Sequence, residues 1–208
     1  LNNAGALFTA RELTRDGFER TFALNHLSYF VVTQRLLDVL QASAPARIVN
    51  VSSGIHTSGH VDFSDLQGAS SYSPLRAYSQ SKLANLHFTY ALAERLAGTG
   101  VTVNALHPGV VRSGFGRNNT GLVGRATSVV LSLMQQFGGI DAGEGADTAV
   151  YLASSPDVEG ITGAYWYKRQ QQTSSPESLD RALQQRLWEV SEQMVQAAGQ
   201  PSAVDNSQ

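Results

Sequence analysis

Tyr78 and Lys82 stand four residues apart in Tyr78-Ser79-Gln80-Ser81-Lys82. On a helix that spacing puts both side chains on one face, one turn apart. A phenol ordinarily loses its proton near pH ~10, and an adjacent ammonium favours the phenolate and lowers that value. A phenol so tuned can give or take a proton near neutral pH. The spacing alone is unspecific, because Tyr and Lys meet at this separation on many solvated helix faces. Ser53 closes the preceding β-rich run, where its hydroxyl can hydrogen-bond a substrate carbonyl or hydroxyl. Ser52-Ser53-Gly54 also has the make-up of an ordinary turn. Asn25 lies inside a helical pattern, a position that disfavours Asn. Either its carboxamide satisfies the backbone of a loop, or it marks a local helix break that orders water near Lys82. Pro108-Gly109 closes the next strand. It is a plain turn, or a backbone that a flat ring can approach because Gly109 carries no side chain.

The elements that must hold these residues alternate between strand and helix. Leu1–Gly5 reads as the tail of a strand followed by a turn. A helix is predicted from Thr14, its cap, to about Gln41, with Phe18, Phe22, Asn25, Tyr29, Val32 and Leu36 recurring at helical steps. Arg47–Ser53 is predicted as a strand and Gly54–Pro74 as a loop. A helix follows from Leu75 to Leu96, then a strand over Val101–Leu106. Beyond a loop come a weaker helix to about Phe137, a helix over Gly143–Ala153 and a strand over Ile161–Arg169. A last amphipathic helix is expected from Pro176 to Ala198, burying Leu179, Leu183, Leu187, Val190 and Met194. Residues 1–198 read as part of one domain and 199–208 as a loose tail. The alternation implies an α/β fold, a doubly wound parallel sheet with helices on both faces. Ser53 and Pro108-Gly109 would then share one crevice at the carboxyl ends of the strands.

Composition removes several classes of function. The chain has 208 residues, 15 Lys and Arg against 17 Asp and Glu, and no basic run of the kind a nucleic-acid binder carries. It has no cysteine, which excludes disulfides, thiolate metal sites and a Cys nucleophile, and fits a cytoplasmic protein. No apolar stretch approaches the ~20 residues that span a bilayer. His56 and His60 are four apart, but Gly54 and Gly59 argue against a helix there, so no metal site is expected. No Gly-x-Ser-x-Gly elbow supports Ser–His–Asp hydrolysis.

Taken together, the pieces resemble the short-chain dehydrogenase/reductase family. Asn3-Ala4-Gly5 is similar to its strand-four motif, Asn25 to its helix-four asparagine, Ile48–Ser53 to its strand-five segment, Tyr78–Lys82 to its Tyr-x-x-x-Lys signature, and Pro108–Ser113 to its Pro-Gly segment. Five motifs in the family's order are jointly specific. More loosely, Arg47–His56, Ser81–Asn85, Val103–Gly109, Gly160–Trp166 and Leu187–Glu189 resemble a retinol-dehydrogenase-like subgroup.

The resemblance implies hydride transfer between a nicotinamide cofactor and an alcohol or carbonyl, with Tyr78 as general acid/base. It implies that Lys82 lowers the Tyr78 pKa and binds the nicotinamide ribose, that Ser53 polarises the carbonyl, and that Asn25 holds a water. Asn3, Ala4 and Gly5 would lie near the adenosine ribose. Pro108, Gly109, Val111 and Ser113 would surround the nicotinamide, with Ser113 in place of the usual threonine. The cofactor is NADP or NAD; the subgroup leans to NADP. Substrates would be small alcohols or carbonyls, with an apolar lid over Phe115–Phe137 pointing to lipophilic ones, and the protein would form a homo-oligomer when complete. An epimerase or dehydratase of the extended branch, or an idle scaffold, are the alternatives.

The family's glycine-rich strand–turn–helix does not precede Asn3. Gly114-Phe115-Gly116 lacks that context. The 208 residues are therefore expected to be a fragment that binds cofactor poorly and leaves a raw sheet edge.

Overall fold

A computed structural model of the protein describes residues 1–112, 136 and 138–199. The centre is a sheet of four strands in the order β1 (Ala46–Val51), β2 (Val101–Leu106), β3 (Tyr165–Tyr167), β4 (Gln170–Gln172). The first three are parallel, and β4 returns antiparallel to β3. Asn2 adds a parallel bridge on the far side of β1, opposite Asn50, so the expected strand tail before Gly5 shrinks to one residue pair. Helix α1 comprises an α turn (Arg20–Phe22), a π segment (Ala23–Leu27) and a long α stretch (Ser28–Ala42). Helix α2 (Pro74–Arg95), α3 (Ala142–Ser154) and α4 (Arg181–Gly199) complete the layers.

Side chains alternate across the sheet, as strand geometry requires. Ile48, Val101 and Val103 face Tyr29 and Phe30 of α1 and Phe88 and Leu92 of α2. Val49, Val51, Leu106 and Trp166 face Ala149 and Leu152 of α3. Each face thus needs its own helices, and the doubly wound arrangement follows from that need. Trp188 of α4 stacks on Phe88, closing the first layer.

Three elements differ from the sequence reading. Helix α1 starts at Arg20, not Thr14. The cap is Glu19, buried at 1% exposure, whose carboxylate accepts from Thr21 N and Phe22 N and from the Tyr72 hydroxyl. The π segment also turns the helix. One extra residue shifts the apolar face, so Phe30, Thr33, Leu37 and Leu40 pack inward while Val32 and Leu36 are each 49% exposed. Second, the predicted strand Ile161–Arg169 is only Tyr165–Tyr167 before a tight reversal at Lys168 and Arg169. Both have left-handed backbone, φ 49° and 59°. Such turns favour Gly and Asn; here Arg169 is held by an ion pair to Asp147 and by its N–H on Thr148 Oγ1. Third, α4 starts at Arg181 behind the Asp180 carboxylate, which accepts from Ala182 N and Leu183 N. The 3-10 turn Pro176–Leu179 precedes it, which leaves Leu179 exposed. The predicted helix ending near Phe137 and the lid over Phe115–Phe137 lie outside the described residues apart from Gln136, as does most of the tail.

Between α1, α2 and α4, His26 and His87 are wholly buried. Burial holds their pKa values down at about 3 and about 4. Among the described residues neither ring nitrogen of His87 has a hydrogen-bond partner. Both rings stay neutral in the folded protein while the unfolded chain takes up protons below about pH 6.5. Stability is therefore unaffected above that pH and falls as pH drops through it towards the folded values. Each ring is expected to cost about 2 kcal/mol at pH 5 relative to pH 7. Urea unfolding at the two pH values checks this. His87→Leu should lose about 2 kcal/mol less than the wild type on acidification, and an unchanged loss would contradict the assignment.

Candidate active site

Two strand ends and one helix build the site. Strand β1 runs out into Ser52 and Ser53, and α2 passes beside it carrying Tyr78 and Lys82. Ser52 pins the two together. Its hydroxyl, buried, donates to the Lys82 carbonyl oxygen at 2.7 Å. Ser53 keeps extended backbone and caps the 3-10 turn Gly54–Ser58, its Oγ accepting from Ile55 N at 3.4 Å. The Tyr78 hydroxyl lies within reach of the Ser53 side chain, whose hydrogen bonding acts to lower the phenol's pKa. The two hydroxyls thus meet at the carboxyl end of the sheet.

Lys82 is 3% exposed. Its Nζ donates to the Val51 carbonyl oxygen at 3.1 Å. That oxygen also takes Asn85 Nδ2 and the Tyr29 hydroxyl, each at 3.4 Å. The amine lies 5.8 Å from the ring centres of both Tyr78 and Tyr29.

The electrostatics depart from the sequence expectation. Burial pushes the Tyr78 pKa up to about 12, and the Ser53 hydrogen bond only partly opposes it. Burial outweighs whatever Lys82 contributes. Its amine is turned to Val51 and is itself desolvated, its pKa down at about 8. The phenol is therefore protonated across the neutral range, in the state of a proton donor.

Asn25 sits in the π segment and is fully buried. The helix widens to a π turn there without breaking, and the carboxamide satisfies loop backbone: Oδ1 accepts from Ala6 N at 2.8 Å, and Nδ2 donates to Ala6 O and Ser81 Oγ, each at 2.9 Å. Ser81 Oγ in turn donates to the Tyr78 carbonyl oxygen. Asn25 thereby ties the turn after Asn2 to the helix of Tyr78 and Lys82. π segments of this kind recur at functional sites.

The residues expected to hold a cofactor surround this pair. Asn3, Ala4 and Gly5 are exposed. A Cβ on Gly5 would come within 3.1 Å of Lys82 Nζ and 3.4 Å of Asn25 Oδ1, so only glycine leaves the amine open from that side. Gly109, at φ 83°, follows Pro108 past the end of β2. A Cβ there would make ordinary contact with Ile140 and Tyr167, but the left-handed backbone would strain any residue other than glycine. Val111 turns its side chain onto Gly145 of α3 and pairs with Ile140. Ser113 lies outside the described residues. An exposed turn that closes on a glycine, beside a buried amine, fits the ribose of a nucleotide cofactor.

Sequence reading underrated two histidines. His107, just before Pro108, stacks on Tyr167 with ring centres 4.0 Å apart and accepts Gly109 N–H at Nδ1. Its pKa is held down at about 4 by burial. His56 and His60 do not converge. His60 reaches Glu177, whereas His56 is buried behind Ser53. No periodicity marks either; the only signal for His56 is that it follows Ser53 by one turn.

The family model for short chain dehydrogenases matches residues 1–121. The chain belongs to the short-chain dehydrogenase family. It is 44% identical over 196 residues to mouse (Mus musculus) retinol dehydrogenase 14, covering 94% of this chain and 58% of that one. A crystal structure of an uncharacterised protein from Mycobacterium paratuberculosis superposes with TM-score 0.69 at 31% identity, covering 94% of this chain and 65% of that one. Landomycin C-6 ketoreductase LanV, solved with NADP and rabelomycin, does so with TM-score 0.54 at 29% identity, covering 79% of this chain and 56% of that one. The chain spans under two-thirds of the length of each of these relatives. As in other members of the family, the sheet is of the Rossmann type. No helix among the described residues is long and apolar enough to cross a membrane.

Proposed function

We propose that the protein is an oxidoreductase that moves hydride between NADP or NAD and an alcohol or carbonyl, with a lipophilic substrate. The observation that carries this is the meeting of the Tyr78 and Ser53 hydroxyls at the strand ends, with Lys82 buried one turn along and Gly5 open above it. A bound nicotinamide would supply the hydride; everything else falls to side chains. A carbonyl oxygen placed between Ser53 and Tyr78 accepts from both hydroxyls. As hydride reaches the carbonyl carbon, the phenolic proton passes to the oxygen and an alcohol results. A phenol with a pKa near 12 is suited to this direction, because it holds its proton until an alkoxide, a stronger base, forms. The same protonation state disfavours oxidation unless the Lys82 cation moves closer.

Lys82 would bind ribose hydroxyls, Asn25 would hold water towards Lys82, Asn3, Ala4 and Gly5 would lie along the adenosine ribose, and Pro108, Gly109, Val111 and Ser113 along the nicotinamide. NADP is supported by the ketoreductase neighbour solved with it. A lipophilic substrate is supported by the retinol dehydrogenase relative. Self-association through the outer stripe of Val32, Leu36 and Val39 and a cytoplasmic location belong to the same reading.

The test is isotopic. The full-length protein, given NADPH or NADH deuterated at C4 and a polyene aldehyde such as retinal, should place deuterium on the carbonyl carbon. Absence of transfer from both cofactors to polyene, aliphatic and aromatic carbonyls would overturn the reading.

A further inference from the structure

Behind Ser53 lies an imidazole that the chemistry above does not use. His56 belongs to the turn Gly54–Ser58 and is 1% exposed. Its Nδ1 is 2.8 Å from the Ser53 carbonyl oxygen, which also accepts the His56 backbone N–H at 3.1 Å. Its Nε2 is 3.2 Å from the backbone nitrogen of Ser175. A backbone N–H only donates, so Nε2 must accept, and the ring proton sits on Nδ1, donated to Ser53. The Tyr165 ring of β3 packs edge-on at 4.9 Å. The ring is thereby held neutral and in one tautomer. A second ring proton would point N–H at N–H.

We infer that His56 is a positioning residue for Ser53. Its neutral imidazole clamps the Ser53 carbonyl to the segment before the turn Pro176–Leu179, and so fixes where Ser53 Oγ meets the Tyr78 hydroxyl and the substrate oxygen. The hydrogen bond that the Ser53 hydroxyl accepts from Ile55 N is long at 3.4 Å and closes only a local turn. His56 instead ties the residue to a distant part of the chain. The inference rests on the roles proposed for Ser53 and Tyr78. An error of order 1 Å in such a group can cost about a hundredfold in rate, without loss of fold.

The chemistry of substitution separates the two ring nitrogens. The Asn amide nitrogen stands as far along the side chain as Nδ1, and that of Gln as far as Nε2. In the full-length protein with NADPH, His56→Asn should keep kcat within about threefold of wild type, while His56→Gln should lower it about tenfold or more with KM for the cofactor little changed. Ser175→Pro is a second variant. Ser175 already has φ −60°, so proline removes the N–H facing Nε2 and leaves the turn intact. It should lower kcat in the same direction.

Both losses should vanish in a Ser53→Ala background, because residues that act as one unit are not additive. A merely structural role would cost the same in both backgrounds, and that result would overturn the inference. So would a His56→Gln enzyme with wild-type kcat. If Tyr78→Phe leaves turnover intact, the functional reading itself fails. If Tyr78→Phe abolishes turnover while His56→Gln and Ser175→Pro do not alter kcat, only the role of His56 fails.

Discussion

Tyr78→Phe is expected to lower kcat for carbonyl reduction about a thousandfold, within the range general acid catalysis supplies, while cofactor affinity changes little. The substitution removes one oxygen and leaves the ring in place on α2. It deletes a hydroxyl that lies beside Ser53 and whose proton burial holds firmly. The neutral phenol gives up at most its hydrogen bonding with Ser53, so melting temperature should change little. Steady-state and single-turnover rates on wild type and variant, with cofactor binding measured by fluorescence, check the claim. A variant with unchanged kcat would remove Tyr78 from the chemistry.

Lys82→Met is expected to have the next largest effect. Met preserves the length and apolar stem of Lys and removes the amine from a position 3% exposed. Val51 O keeps Asn85 Nδ2 and the Tyr29 hydroxyl, so the loss leaves no orphaned acceptor. Stability should therefore rise or stay level, since a desolvated amine no longer needs burial. Activity should fall about a hundredfold, with KM for the cofactor raised, because the amine is what Gly5 leaves open. The wild type should also lose rate as pH rises through about 8, where Lys82 gives up its proton. That limb should be missing from Lys82→Met. A pH–rate profile of the two proteins decides it, and an identical alkaline limb in the variant would assign the limb elsewhere.

The site was legible in the sequence to the extent that a rigid element measures it out. Tyr78 and Lys82 lie on a regular helix, Pro74–Arg95, and a four-residue step fixes them to one face without knowledge of the rest. Ser53 could be placed because β1 is short and ends in small polar residues. The alternation of Ile48 and Val49, or Val103 and Leu106, between two buried faces likewise announces a sheet covered on both sides.

What could not be read depends on contacts distant in sequence. The Tyr78 pKa rises because of everything packed round it, and the helical spacing to Lys82 says only that an amine is near, not that it turns to Val51 O. The apolar stripe of α1 was misplaced at Val32 and Leu36 because one π segment shifts the register by a residue, and Asn25 alone hinted at it. The hairpin at Lys168-Arg169 has no glycine or asparagine to signal it; Asp147 and Thr148, on another element, hold it. His56 has the same character, since its second partner, Ser175, is 119 residues away.

The central claim is that one phenol, backed by Ser53, donates a hydrogen bond to the substrate oxygen. The carbon-13 resonance of a carbonyl-labelled ketone reports that bond directly. Bound together with oxidised cofactor, so that no turnover occurs, the carbonyl signal should move downfield in the wild type, less so in Ser53→Ala, and not at all in Tyr78→Phe. The same downfield shift in wild type and Tyr78→Phe would contradict the account.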